Sequence, residues 1–374
     1  MEQEKLRIEI GGTELPGLYD DLVSLEVELD DELAGMCRIT LAVLQRDDGT
    51  WPYLDDERFQ LWQRVAVTAG LGDDDEKLFS GFVTHVRPEF AGTPDQCQLE
   101  LWAMDASVLM DRRVVLKDWP NRKDSDIAAE IFGTYGLSSQ VTDTGIIHSG
   151  EVSTIIQRET DIRFLKRLAR RNGYECYIRG NTAHFGPPGL SGRPQPVLNV
   201  QCGEETTVTH FTIEANALVP SSIAMSQIDH LTKEVLDTTV DRAAQKALGG
   251  KAATVYLPAG MRKEPTHLNQ TITTGRSEME ALCQSLHDNG EWFVTGEGEV
   301  AANQYGTILM PRKTVTIKGI GENFSGVYYI TRVTHVFEAG GYTQVFTVQR
   351  NALMPTGSET FSADGGGLLP GLPI

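Results

Sequence analysis

The sequence predicts an α+β protein that is mainly β, with two related antiparallel β-barrel domains and small α+β domains inserted between and within them. Short stretches of alternating apolar and polar residues fill the first third of the chain and return near its end. Helical periodicity appears between these two regions. A strand-turn-strand motif also occurs twice, which indicates a duplicated unit.

Residues 1–112 are predicted to form the first β-barrel domain. Turn residues rich in glycine and aspartate separate its strands, which recur about every ten residues, as is typical of antiparallel barrels and sandwiches. The predicted strands are Lys5–Ile10, Leu22–Leu29, Ile39–Val43, Val65–Val67, Phe82–Val86 and Gln98–Trp102.

Residues 113–200 change to a helical pattern and are predicted to form a small α+β domain. Asp124 or Ser125 can cap a helix that runs to Tyr135. A second helix is predicted from Glu159 to Asn172, because apolar residues recur along one stripe. A hairpin is then expected, with strands Tyr174–Ile178 and Thr182–Phe185 around a Gly-Asn turn.

The second β-barrel domain is predicted to be split between residues 201–232 and 291–353. Residues 233–290 are expected to form an inserted helical and mixed domain, with helices at Asp241–Leu248 and Ser277–Asn289. Residues 354–374 are rich in glycine and proline and are expected to form a flexible C-terminal tail. Its apolar end makes four residues candidates for docking on a partner: Leu368, Leu369, Leu372 and Ile374.

The duplication is indicated by two stretches of the sequence that contain similar motifs in the same order. Residues 65–92 contain VAVTAGLG, FSG, VTHV and FAG, and residues 315–340 contain VTIKGIG, FSG, VTHV and FEAG. A glycine after an aromatic-serine pair predicts a bulge, a positive φ or a close backbone approach at Gly81 and Gly326. Chance similarity is the alternative. Two similar barrels in one chain favour a cyclic trimer, which would present six quasi-equivalent barrels.

Composition excludes several classes of protein. The 374 residues carry a formal net charge of -19, which disfavours binding to nucleic acid and to anionic membranes. No apolar run of about 18 residues is present, so no membrane-spanning helix is expected. The charged N-terminus lacks the pattern of a secretory signal, so synthesis in the cytoplasm is expected. The five scattered cysteines are expected to be free, buried thiols.

Motifs of catalysis and of cofactor binding are absent from the sequence. No catalytic, cofactor-binding or metal-binding residue is therefore predicted, and no cofactor. Glu297 and Glu299 could suggest a glycosidase pair, but two acids on a strand are common. Trp119 and the pair Tyr328-Tyr329 could suggest a carbohydrate platform, although packing in a core or an interface is the favoured interpretation.

Four segments in order resemble one known family, the phage late control protein D group of contractile-tail baseplate hubs, which is related to the N-terminal hub part of VgrG spikes. They are Leu78–Thr84, Trp102–Arg113, Glu159–Tyr177 and Asn323–Arg350. The resemblance implies a structural signature of five residues: Phe79, Gly81, Asp105, Phe324 and Gly326.

The resemblance implies a structural protein and not an enzyme. Such hubs are homotrimers whose tail-tube-like barrels form a pseudo-sixfold ring between the tail tube and a trimeric spike. Partners would be the tube-protein ring, a spike and other baseplate subunits, within an assembled virion or extracellular injection system. Because VgrG proteins continue into an OB-fold and a needle and this chain ends at Ile374, a separate spike protein is expected. Two alternatives stay open: a tail-associated receptor- or glycan-binding protein, and a cell-wall hydrolase.

Overall fold

A computed structural model of the protein describes residues 4–72, 74–93, 96–151, 155–229, 231–260, 265–269, 271–359 and 361. Its helices are α1 Leu18–Asp21, α2 Ser107–Met110, α3 Asp124–Thr134, α4 Asp161–Arg171, α5 Arg276–Gly290 and α6 Ala302–Tyr305. Its strands are β1 Glu4–Ile10, β2 Thr13–Glu14, β3 Leu22–Asp30, β4 Met36–Ala42, β5 Arg64–Leu71, β6 Asp74–Glu89, β7 Gln98–Asp105, β8 Val114–Trp119, β9 Ser138–Val141, β10 Ile155–Thr160, β11 Glu175–Arg179, β12 Thr182–Gly186, β13 Gln195–Asn199, β14 Val208–Ala215, β15 Ile223–Ile228, β16 Val235–Val240, β17 Lys251–Ala252, β18 Thr266–Leu268, β19 Val294–Ala301, β20 Thr314–Lys318, β21 Gly326–Glu338, β22 Gly341–Arg350 and β23 Ala352–Leu353.

One large sheet of 13 strands dominates the molecule. Its order is β14-β19-β22-β21-β3-β4-β7-β6-β5-β1-β2, and β20 joins β21 to β13. The prediction of a mainly β chain with helical insertions is confirmed. The prediction of two closed barrels is not: within the described residues the strands form a continuous sheet and no closed barrel. The physical reason is that β21 pairs with β3, so strands from the two ends of the chain join each other.

The sheet contains two units with the same strand order. In the first unit the order is β3-β4-β7-β6-β5, and in the second it is β14-β19-β22-β21-β20. The strands also follow one another along the chain in the same sequence in both units. A further strand covers the last one in each unit: β1 is antiparallel to β5, and β13 is parallel to β20. The duplication is therefore visible in the topology.

The rest of the chain forms two insertions. Residues 106–194 lie between the units and contain α3, α4 and the hairpin of β11 and β12, close to their predicted bounds. Residues 216–293 lie between β14 and β19, at the place of the short β3-β4 connection, and contain α5. The predicted helix at Asp241–Leu248 is wrong. The backbone N–H groups of Ala244 and Leu248 instead donate to side chains of other segments, at 2.9 and 2.8 Å.

The apolar cores link the units. The core of the first unit also contains four side chains of the second: Ala302, Met310, Phe337 and Tyr342. Separate clusters fill the first insertion and the interior of the second unit. All five cysteines are free, as predicted, and four of them are buried, whereas Cys202 is only partly buried. Within the described ranges, no helix combines the length and apolar character needed to cross a membrane.

Candidate functional site

Shared β-bulges fix which residues of the two units correspond. A bulge shifts the pairing register by one residue at Val23 in β3 and at Thr209 in β14, each against the next strand of its own unit. A second bulge lies at Thr84 in β6 and at the matching place, Thr331, in β21. Bulges insert one residue at a defined place, so two matching pairs of them indicate a common ancestor of both units.

The bulge threonines also share a side-chain contact. The Thr84 hydroxyl donates to the carbonyl of Trp102 at 3.2 Å, and the Thr331 hydroxyl donates to the carbonyl of Thr347 at 3.3 Å. This contact ties each bulged strand to its neighbour. Thr84 and Thr331 therefore correspond.

A left-handed residue precedes the third strand of each unit. Trp62 has φ 68° and Arg312 has φ 62°. The N–H of Trp62 donates to the carbonyl of Val83 at 2.8 Å, and that of Arg312 donates to Ile330 at the same distance. The structural match is thus Val83 with Ile330.

This correspondence corrects the alignment read from the sequence. The identical letters VTHV at 83–86 and 333–336 do not occupy equivalent places, because Val83–Val86 corresponds to Ile330–Val333, three residues earlier. The exposed His85 therefore corresponds to Arg332, whereas His335 is fully buried. Likewise the two FSG motifs do not superimpose, since Gly81 corresponds to Tyr328.

Three of the predicted signature residues lie together in the first unit. Phe79 is buried in β6, next to Gly81, which faces Asp105 across the ladder. A Cβ atom on Gly81 would lie 2.6 Å from the carbonyl carbon of Met104, so glycine allows a close backbone approach. The Asp105 carboxylate accepts the N–H groups of Gly35 and Ser107, at 2.6 and 2.8 Å, while burial raises its pKa.

The other two signature residues surround a buried arginine in the second unit. Gly326 has φ 144°, and a Cβ atom on it would lie 2.8 Å from Cζ of Arg350. Arg350 is fully buried and donates to the carbonyls of Phe324, Leu248 and Met354, at 2.9, 3.1 and 3.0 Å. No local pattern predicts a role for Arg350, although an arginine at the end of an alternating strand is an unusual residue for that position.

Asp105 and Arg350 occupy corresponding places at the ends of β7 and β22. One accepts backbone N–H groups and the other donates to backbone carbonyls. Each side chain therefore supplies hydrogen-bond partners to buried backbone groups of a loop next to its unit. One of the two residues is acidic and the other is basic.

The two units meet where β21 pairs with β3. Residues 332–338 are antiparallel to residues 24–30, from the pair Arg332–Asp30 to the pair Glu338–Ser24. His335 lies in the centre of this junction and contacts the Tyr342 hydroxyl through Nδ1 at 2.7 Å. Burial lowers the pKa of His335 to about 3, so it is neutral at physiological pH. On one face of this ladder Val333, His335 and Phe337 are buried.

The corresponding strands at the outer ends of the units have open edges. Beyond Val83, β6 pairs with β7 alone, and β14 pairs with β19 alone, among the residues that the structure describes. Residues 87–90 are exposed, including Phe90, whose exposed fraction is 59%. In the second unit, the corresponding edge of β21 pairs with β3. These edges are the candidate assembly site.

A buried ionic cluster joins the two insertions. Asp124 at the start of α3 accepts from Arg171 Nε and from Asn172, both at 2.6 Å. Arg171 Nη1 donates to Glu278 of α5 at 2.8 Å. His148 lies between the two carboxylates, with Nε2 3.2 Å from Asp124 and Nδ1 3.4 Å from Glu278. One arginine and one histidine thus face two carboxylates.

The charges of this cluster depend on one another. Burial alone would raise the pKa values of Asp124 and Glu278, but hydrogen bonds with His148 and the Arg171 guanidinium outweigh it and lower both to about 2. Burial alone would lower the pKa of His148, but hydrogen bonds to the two carboxylates raise it. The cluster is therefore close to neutral overall when His148 is protonated.

A cleft of about 630 Å³ opens beside the junction, lined by Asp30, Asp31, Glu175 and Tyr329 among others. Burial, reinforced by Glu175, raises the pKa of Asp31 to about 7. Within the described part of the chain, no group of three or more His, Cys, Asp or Glu side chains is arranged to hold a metal ion. The candidate docking residues Leu368, Leu369, Leu372 and Ile374 lie outside the described residues.

Comparison with known proteins gives a family and a fold. Residues 2–338 match the model of a family described as the Alg8 N-terminal domain, a description that states no reaction. No protein of curated function matches the sequence.

Solved structures of tail and secretion proteins share the fold. A 43 kDa tail protein of prophage MuSo2 from Shewanella oneidensis matches with a TM-score of 0.68 and 14% identity, over 94% of this chain and 100% of that one. An E. coli component of the type VI secretion system, described as similar to the T4 tail proteins gp27 and gp5, matches with a TM-score of 0.54 and 12% identity, over 95% and 79%. A chain of the Francisella PdpA-VgrG complex matches with a TM-score of 0.53 and 9% identity, over 97% and 55%. The expected likeness to tail and VgrG proteins is confirmed at the level of the fold.

Proposed function

The chain belongs to the Alg8 N-terminal domain family, and we propose that it is a structural protein of a phage-tail-like particle, the baseplate hub that joins the tail tube to a spike. The tail role rests on the fold that it shares with tail and type VI secretion proteins. The hub role rests on one observation, the pair of equivalent units joined edge to edge in one chain.

The duplicated unit suits a change of symmetry. A tube with sixfold symmetry needs six similar binding surfaces, whereas a threefold spike needs three. Three copies of a chain with two similar units present six, and the different insertions of each unit keep the other side threefold. The homotrimer, the tube-protein ring, the spike and the other baseplate subunits are proposed partners. Membership of the late control protein D group, and the signature role of its five residues, stay predictions.

Light scattering tests this proposal directly. The mass of the protein is measured alone and with the tail-tube protein of the same particle, since assembly can require the tube. Three chains of 41.2 kDa, about 124 kDa, are expected for the hub itself or within the complex. A stoichiometry of two or six copies for each tube ring would contradict the hub.

Two other outcomes would point to the alternatives. Clearing of a peptidoglycan zymogram would indicate a cell-wall hydrolase. Saturable binding to a glycan array, without binding to the tube protein, would indicate a receptor-binding protein. A hub is expected to give neither result.

A further inference from the structure

We infer that β14 of one copy pairs antiparallel with the free edge of β6 in the next copy, and so repeats between chains the β21-β3 junction found within the chain. The partner is a second copy of this protein. The inference rests on the proposed trimeric hub and adds to it the interface and its register.

The register follows from the bulges. Thr84 corresponds to Thr331, so residues 85–91, at the end of β6 and just after it, correspond to residues 332–338 of β21. Val23 corresponds to Thr209, so residues 24–29 of β3 correspond to 210–215 of β14. Within the chain, Thr334 faces Glu28. The same register places Arg87 opposite Glu214 and Phe90 opposite Phe211.

The side chains at this proposed interface complement one another. Arg87 and Glu214 have opposite charges, and a cross-strand pair of this kind stabilises an antiparallel ladder. Phe90 is largely exposed, and Phe211 lies partly buried against Phe346, with ring centres 6.2 Å apart. Pairing would cover the Phe90 ring with a second aromatic ring. Pro88 has no N–H, so one bond of the ladder is missing.

The exposure of the strands supports the same partner. In β21 the residues at 333, 335 and 337 are buried, in the part of the strand that pairs with β3. Their counterparts at 88 and 90 are exposed, and so are several residues of β14. An open edge of this length is a template for pairing with another chain. A head-to-tail contact between copies closes after three chains when six equal rotations, two for each chain, complete one turn.

Cysteine pairs test the register. Cross-strand neighbours have Cα atoms about 4.5–5.5 Å apart, within the range that a disulfide spans. All variants carry Cys202→Ser, because Cys202 is the cysteine that is not fully buried. The pair Arg87→Cys with Glu214→Cys should then link neighbouring chains by disulfides. A non-reducing gel should show bands of linked chains up to three and no larger. Thr334→Cys with Glu28→Cys is the matched control, and it should form the same bond within one chain.

An out-of-register cysteine pair and a charge exchange complete the test. Every variant is measured in the complex with the tube protein. Arg87→Cys with His210→Cys should not give the ladder. Arg87→Glu should reduce trimer formation at least tenfold, and Arg87→Glu with Glu214→Arg should restore it. If the mass is that of three chains but the Arg87-Glu214 cysteines do not link, or link no better than the out-of-register Arg87-His210 pair, the register is wrong and the hub stands. If no trimer forms with the tube protein, the hub proposal itself fails.

Discussion

At the scale of single residues, two glycines with the same sequence context serve different purposes. Gly81 has ordinary backbone angles and is required by the nearby Met104 carbonyl group. Gly326 has a φ of 144° and makes room for the guanidinium of Arg350. The motif FSG is therefore shared in letters, while the reason for glycine differs between the units.

Replacing either glycine by alanine should destabilise the protein. Gly81→Ala would push β6 away from β7, and Gly326→Ala would combine backbone strain with a clash against Arg350, each at a cost of about 1–3 kcal/mol. Chemical denaturation measures this free energy of unfolding. Gly92→Ala is the control, because a Cβ atom at Gly92 meets no atom within 4 Å. Equal stability of all three variants would refute the account.

At the scale of secondary-structure elements, the cluster around Asp124 and His148 fastens α3, α4 and α5 together. Its members come from both insertions, and the partners Arg171 and Glu278 lie more than a hundred residues apart in the sequence. A buried pair is weak evidence for net stability, but removing one partner is costly because a buried charge is left unpaired. The cluster thus fixes how the two insertions meet.

The stability of the protein should depend on the protonation of His148. Its pKa is raised above the unfolded value of about 6.5, so its contribution is fully present below that pH and is lost as the pH rises through the folded pKa. His148→Gln should cost about 3 kcal/mol at pH 6 and clearly less at pH 9. Urea midpoints at the two pH values measure the difference.

The exposed His267 provides a control for this measurement. His267→Gln should change the urea midpoint little and equally at pH 6 and pH 9. A His148→Gln variant with the same deficit at both pH values would show that the histidine contributes by packing alone.

At the scale of the whole molecule, the junction of β21 and β3 makes the two units one cooperative body. Phe337 stacks on Tyr342 at 4.0 Å and belongs to the core of the first unit, although it is part of the second. We expect the continuous ladder and the shared core to couple the unfolding of both units. The protein is a pair of units held in one fixed arrangement.

Calorimetry should therefore show a single unfolding transition for the two units. Phe337→Ala should remove about 3–5 kcal/mol by leaving a cavity at the junction, and it should shift the whole transition. Phe346→Ala, in the core of the second unit, is the matched variant and should shift the same transition. Two separate peaks, of which Phe337→Ala moved one, would contradict this coupling.

The sequence by itself determined the local elements, and it indicated a duplication that the strand order confirms, although the identical letters do not occupy equivalent places. Periodicity predicted helices α3 and α4 within two residues, and the hairpin of β11 and β12, because these depend on neighbours along the chain. The predicted cap is wrong, because Lys123 and not Asp124 or Ser125 is the N-cap residue of α3, and its side chain makes no capping hydrogen bond. Local pattern failed at Asp241–Leu248, where Asn351 and Asp288 supply the hydrogen bonds that a helix would have made internally.

Only the tertiary structure decided how the duplicated units correspond and how they join. The identical VTHV motifs suggest one alignment, but the bulges show that the true match lies three residues earlier in the second unit. A bulge depends on the pairing of two strands, which no local pattern shows. The same holds for Arg350, His148 and the β21-β3 ladder, whose partners come from remote segments. Long-range pairing sets these features, so no local pattern in the chain contains them.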